Sequence, residues 1–144
     1  MREGPRPSIQ LKYQLAGTGV RAGVSAAVLV VDDDADMTRL LSALLASRGL
    51  HAVSAYDAIQ GFMVAQKQHP RFILVDWHMP AGGGPQLLRQ LKDHPSTHHI
   101  PVVVVTADGS PAIPEEAAAL GARGVLHKPI DADRFVELVK ELVE

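Results

Sequence analysis

Four short apolar runs in this chain each stop at a polar residue, and that pattern restricts the available folds more than any other feature. Phe72-Ile73-Leu74-Val75 stops at Asp76, and Val28-Leu29-Val30-Val31 stops at Asp32 and Asp33. Val102 to Val105 stops at Thr106, and Gly124 to His127 stops at Lys128. Short aliphatic and β-branched runs separated by longer helix-like segments read as buried parallel strands joined by helical crossovers. With a weaker strand over His51 to Tyr56, the chain predicts an α/β domain with a doubly wound, five-stranded parallel sheet. Such sheets bind ligands at the carboxyl ends of their strands. Three carboxylates, a hydroxyl and an ammonium are therefore expected in one pocket.

The length, 144 residues with 47% apolar and 21% charged, suits a single domain able to bury a core. A formal net charge of −2 provides no concentrated basic face, so no direct contact with nucleic acid or an anionic membrane is expected. There is no Cys, which excludes thiolate metal sites and fits a reducing compartment. No stretch approaches the ~18 apolar residues of a membrane span, and the first residues lack the apolar core of a signal peptide, so the expected location is the cytoplasm. Residues 1–26 differ in texture and read as an extension to a domain over residues 27–144. Within the extension, Ile9 to Leu15 alternates apolar and polar residues. It is either a mobile tail or a strand added to a sheet edge, in this molecule or in a second copy as a homodimer.

Several charged residues have structural explanations. Asp34 is placed to cap the first helix and Asp36 to favour its positive end, while Gly49 supplies a left-handed stop. Asp57 and Asp131 are placed to cap later helices. Asp32 and Asp33 fit no such role, because adjacent carboxylates at a strand end repel unless a cation lies between them, and hard divalent ions seek such oxygens. Gly82 to Gly84 lack the Gly-Lys-Ser/Thr ending of a phosphate loop, so a flexible turn is expected there, with a helix starting at Pro85. Gly61 inside the second helix weakens it by about 1 kcal/mol. His94, His98 and His99 match no zinc spacing and precede the fourth strand, away from the acids. Pro111 and Pro114 predict a short fourth helix from Pro114 to Leu120. Phe135, Leu138, Val139 and Leu142 form the apolar face of the last helix.

Taken in order, these fragments resemble the response-regulator receiver domains of two-component signalling, which have the flavodoxin-like (βα)5 fold. The similarity runs from Ala27 to Glu144: the acidic pair, Val75-Asp76-Trp77-His78-Met79-Pro80, Thr106-Ala107, and Gly121-Ala122-Arg123-Gly124 leading to Lys128-Pro129. The resemblance implies that Asp76 is the phosphoacceptor. It implies a Mg2+ ion held by Asp32, Asp33, Asp76 and the backbone carbonyl of His78. Thr106 would bind a phosphoryl oxygen and Lys128 would pair with the phosphoryl group across a cis peptide to Pro129. His78 and Asp108 would stand where water enters, and Asp108 would orient it during hydrolysis. The phosphodonor would be a histidine kinase or phosphotransfer protein, and the output an altered contact with a downstream protein. With no further domain after Glu144, a stand-alone receiver is expected, not an enzyme but a signalling module that assists only its own phosphorylation and dephosphorylation. One residue departs from the family pattern, Val125 in place of the usual Tyr or Phe, which removes the aromatic rotamer switch. Two other functions use similar residues. A metal-dependent phosphohydrolase would need a second acid where His78 stands, and a docking module would ignore phosphate altogether.

Overall fold

Valine and isoleucine lose little by extending, and in this chain the runs they dominate all become strands of one sheet. The computed structural model describes residues 27–143; the Ile9 to Leu15 segment lies outside them. The order is β1 (Ala27–Val31), α1 (Ala35–Ala46), β2 (His51–Ala55), α2 (Ala58–Gln68), β3 (Phe72–Val75), a 3-10 turn (Pro80–Gly82), α3 (Gly83–Asp93), β4 (Val102–Thr106), α4 (Ala112–Ala119), β5 (Gly124–His127) and α5 (Ala132–Val143). The sheet runs β2-β1-β3-β4-β5, and every adjacent pair is parallel. Strand order reverses between β1 and β3, which opens a crevice at their carboxyl ends.

The two-residue period of the strands sorts the core into two layers. Leu29, Val31, Ile73, Val75, Val102 and Val104 pack with Leu87, Leu91, Ile113 and Ala117 on one face of the sheet. Val28, Val30, Phe72, Leu74, Val103 and Val105 pack with Leu41, Leu45, Phe135 and Val139 on the other. Of the expected apolar face of α5, Phe135 and Val139 are buried, while Leu138 and Leu142 are half-buried. A strand covered on both faces has no solvent side to mark with polar residues, which explains the unbroken runs.

The expected caps are present. Asp34 accepts from the N–H of Asp36 at 2.9 Å, Asp57 from Gln60 at 2.8 Å, and Asp131 from Asp133 at 2.9 Å and Arg134 at 3.2 Å. Gly49 adopts φ +78° beyond α1.

Three expectations are corrected. Helix α4 begins at Ala112, with Pro111 as its N-cap, rather than at Pro114. Both prolines fall where helical N–H groups have no intrahelical acceptor, so neither delays the start. Helix α3 begins at Gly83 rather than Pro85, for the same reason. Nor do Gly83 and Gly84 form a loose turn, since both are buried within α3. A Cβ on Gly84 would lie 2.9 Å from the backbone oxygen of Asp76, and one on Gly83 would lie 2.6 Å from that of Trp77. These glycines let α3 seat directly on the backbone that carries Asp76. Gly61 is similar: a Cβ there would meet Leu87 and Val31 at 3.1 Å. Its loss of helix propensity accompanies close packing of α2 on β1 and α3.

Candidate functional site

Each functional side chain belongs to the residue at which its strand ends, and the sheet ladder extends far enough to hold it. The N–H of Asp32 donates to Ala55 O at 3.1 Å, that of Asp76 to Val31 O at 3.0 Å, and that of Lys128 to Thr106 O at 2.9 Å. Thr106 is itself the last residue of β4. Asp32 and Thr106 are buried and Asp76 retains 9% exposure, while Asp33 is open to solvent. The peptide between Lys128 and Pro129 is cis.

Carboxylate oxygens of Asp32, Asp33 and Asp76 lie within 4.8 Å of one another, the one such grouping of metal-ligating side chains among the described residues. Lys128 Nζ donates to Asp32 Oδ2 at 2.9 Å and to Asp76 Oδ2 at 3.3 Å. Asp32 Oδ1 accepts from the N–H of Asp34 at 2.9 Å, whereas Asp76 Oδ1 has only a long contact, 3.4 Å, from the N–H of His78. Burial raises the Asp76 pKa above the ordinary carboxylate value, and the negative charge of Asp32 adds to the rise; Lys128 and the His78 N–H counter it in part. Burial opposes the Lys128 ammonium too, but the hydrogen bond and charge of Asp32, then those of Asp76, leave its pKa raised. The pocket thus carries more negative charge than its one ammonium balances.

This donor set fits a hard divalent cation. It is all oxygen, and two oxygens bound to one Mg2+ at ~2.1 Å stand at most about 4.2 Å apart, so the three carboxylates need little contraction. Asp33→Ala removes an accessible ligand and is expected to weaken Mg2+ binding about tenfold or more. Trp77, buried beside the site, supplies the fluorescence signal. Superimposable Mg2+ titrations of variant and parent would remove Asp33 from the ligand set.

Sequence reasoning placed His78 and Asp108 near each other but did not find their contact. His78 Nε2 lies 2.7 Å from Asp108 Oδ2, linking the loop after β3 to the loop after β4. Asp108 Oδ1 accepts from the Ser110 N–H at 2.9 Å, and Thr106 Oγ1 accepts from the Asp108 N–H at 3.2 Å. The Asp108 pKa is lowered, chiefly by the hydrogen bond from His78 and then by that from Ser110. The three-histidine loop does not join the acidic site. His94 packs edge-on against Phe62, with ring centroids 5.6 Å apart, and contacts Gln66, while buried Thr97 donates to Leu91 O at 2.8 Å.

The β2-β1-β3-β4-β5 sheet, with acids at the β1 and β3 ends facing a lysine beyond β5, defines a signalling domain of the receiver class. The family profile of the response regulator receiver domain matches residues 28–140, and the chain belongs to that family. Response regulator PleD of Caulobacter vibrioides is 39% identical over 119 residues, which are 83% of this chain and 26% of PleD. The chain thus spans about a quarter of that relative. The polar-differentiation response regulator DivK of Brucella ovis is 29% identical over 113 residues, 78% of this chain and 92% of DivK. Among solved structures, the chemotaxis response regulator CheY4 of Vibrio cholerae superposes with a TM-score of 0.76 at 26% identity, covering 83% of this chain and 99% of that one. No helix among the described residues is long and apolar enough to cross a membrane.

Proposed function

We propose that Asp76 accepts a phosphoryl group from the phosphohistidine of a histidine kinase or phosphotransfer protein, and that the phosphorylated chain signals by altered contact with another protein. The observation that carries this reading is the largely buried Asp76 carboxylate, 3.3 Å from Lys128 Nζ and grouped with Asp32 and Asp33. Asp32, Asp33, Asp76 and the His78 carbonyl would hold Mg2+, which when bound offsets the charge of the acids and of the incoming phosphoryl oxygens. A carboxylate oxygen of Asp76 forms the bond to phosphorus as the bond to the donor imidazole breaks and its electron pair stays on nitrogen. Lys128, already aimed at Asp76, donates to a phosphoryl oxygen. Thr106 Oγ1 turns from the Asp108 N–H to donate to another, and this releases the loop before α4. Val125 is half-buried against the core group that includes Ile113 and Ala117, so transmission runs through that loop and α4 rather than through an aromatic side chain. Incubation with a phosphorylated histidine kinase should transfer label to the chain in Mg2+ and not after chelation. Absence of transfer from every phosphohistidine and small-molecule donor would reject the reading.

Asp108 bears on how long the signal lasts. A carboxylate has about four acceptor positions, and the contacts with His78 and Ser110 leave room for a water. Asp108→Ala is expected to lengthen the phosphoryl lifetime severalfold, at or below the lower end of what one positioned group contributes. The measurement is decay after donor removal at constant Mg2+. Unchanged or faster decay would show that Asp108 serves only to hold its loop.

A further inference from the structure

The sheet ladder that places the carboxylates ends with the Asp76 N–H on Val31 O at 3.0 Å, before the chain reaches the His78 carbonyl that the Mg2+ reading requires. The peptide joining Trp77 to His78 is held by other means. Its N–H makes the long 3.4 Å contact to Asp76 Oδ1, and its carbonyl, Trp77 O, accepts from the Gly84 N–H at 3.0 Å. A helix leaves its first N–H groups without intrahelical acceptors. Helix α3 has Gly82 at its N-cap, with no side chain to serve them, and its Pro85 has no N–H to offer, so the Gly84 donor goes to the loop. The helix is thus capped by the peptide that leads into the metal ligand.

Gly84 also lies close against that loop. A Cβ there would stand 2.9 Å from Asp76 O, 3.0 Å from Trp77 Cα and 3.4 Å from Trp77 Cε3. The two nearest atoms are backbone and cannot swing aside as a flexible side chain does, so any side chain at position 84 moves the loop. Gly83 has φ +60°, but Gly84 has no positive φ, and Ala is the better helix former. Close approach, not conformation, is therefore what calls for glycine at 84. We propose that Gly84 is a positioning residue for the metal site: its N–H and its missing side chain together set where the His78 carbonyl stands relative to Asp32, Asp33 and Asp76. The inference rests on the Mg2+ reading of the site and adds the part of α3 on which that site depends. Loss of an outer partner that orients a metal ligand costs about tenfold to a hundredfold in metal affinity. With the carboxylates and Lys128 retained, the effect falls on the Mg2+ concentration required rather than on the phosphorylation reached once Mg2+ saturates.

The test uses the full chain with Mg2+ alone, read by Trp77 fluorescence, and denaturant unfolding without Mg2+ as the separate measure of folding. Gly84→Ala is expected to raise the half-saturating Mg2+ concentration about tenfold. At saturating Mg2+ its labelling by acetyl phosphate should return to within about twofold of the parent, the signature of lost binding rather than lost chemistry. Gly124→Ala puts the same methyl group into open space and should titrate as the parent does. The linkage runs both ways: a His78 carbonyl engaged by Mg2+ steadies the peptide that caps α3, so in the parent saturating Mg2+ should slow exchange of the Gly84 amide severalfold. That measurement needs no variant and decides the matter if Gly84→Ala does not fold. A folded Gly84→Ala with the parent's Mg2+ half-saturation, or a Gly84 amide whose exchange Mg2+ leaves unaltered, would overturn the inference and leave the ligand set intact. A parent that binds no Mg2+ would reject the metal site itself, and the positioning role with it.

Discussion

Asp76→Asn is expected to reduce phosphoryl incorporation more than about a hundredfold, to background, and at neutral pH without Mg2+ to be more stable than the parent. The loss follows because an amide is a poor nucleophile at phosphorus and no other carboxylate occupies the end of the central strand. Asp76→Glu should also fall by about a hundredfold, since one added methylene displaces the attacking oxygen by more than the ~1 Å that costs as much in a positioned reaction. The gain in stability follows from the raised pKa. A carboxyl whose folded pKa exceeds its unfolded value stabilises the fold fully below the unfolded value, and that contribution is lost as pH rises through the folded pKa. Ionised Asp76, opposed by burial and by Asp32, therefore weighs against the fold at neutral pH, and the neutral amide removes that weight. The stability difference should vanish below 3.8, the ordinary Asp value that the carboxyl takes in the unfolded chain. Denaturant titrations across pH check this, and equal stability at neutral pH would contradict it.

The second large effect is expected from Lys128→Met, which keeps the length of the chain and removes its charge. In the parent the ammonium lies 2.9 Å from Asp32 and 3.3 Å from Asp76, with only 14% of the side chain exposed. Removing one partner from a nearly buried pair leaves uncompensated charge, and a cost of about 3 kcal/mol is expected in the absence of Mg2+. Two signs accompany it. The raised Lys128 pKa means that its contribution is fully present below 10.5 and is lost as pH rises through a still higher folded value, so the parent keeps it throughout the neutral range. In the variant, protonation of Asp76 substitutes for the missing ammonium, so the deficit relative to the parent should shrink as pH falls through the raised Asp76 pKa. Saturating Mg2+ should also recover part of it. A deficit below about 0.5 kcal/mol, unaffected by pH or Mg2+, would show that the ion pairs contribute no more than ordinary surface pairs.

The strand ends were legible in the sequence because the same residues set both the pattern and the chemistry. β3 and β5 begin and end where their apolar runs do, and the polar residue after each run is the one that enters the pocket. The starts of α3 and α4 were less legible, since proline in a first turn obeys the same rule whether it stands first, third or just before the helix. Gly61, Gly83 and Gly84 were visible as glycines, but the backbone and side chains they approach come from distant parts of the chain. The His78–Asp108 contact joins two loops 30 residues apart and depends on where both side chains point, which no local pattern encodes.

The most direct test of the central claim is to map the site of the label. After incubation with acetyl phosphate and Mg2+, the acyl phosphate is trapped chemically, the chain is digested, and the modified residue is identified by fragment mass. Modification at Asp76, absent when Mg2+ is chelated, is the predicted result. Modification at Asp32 or Asp33 with Asp76 untouched, or none in a chain that binds Mg2+ normally, would contradict it.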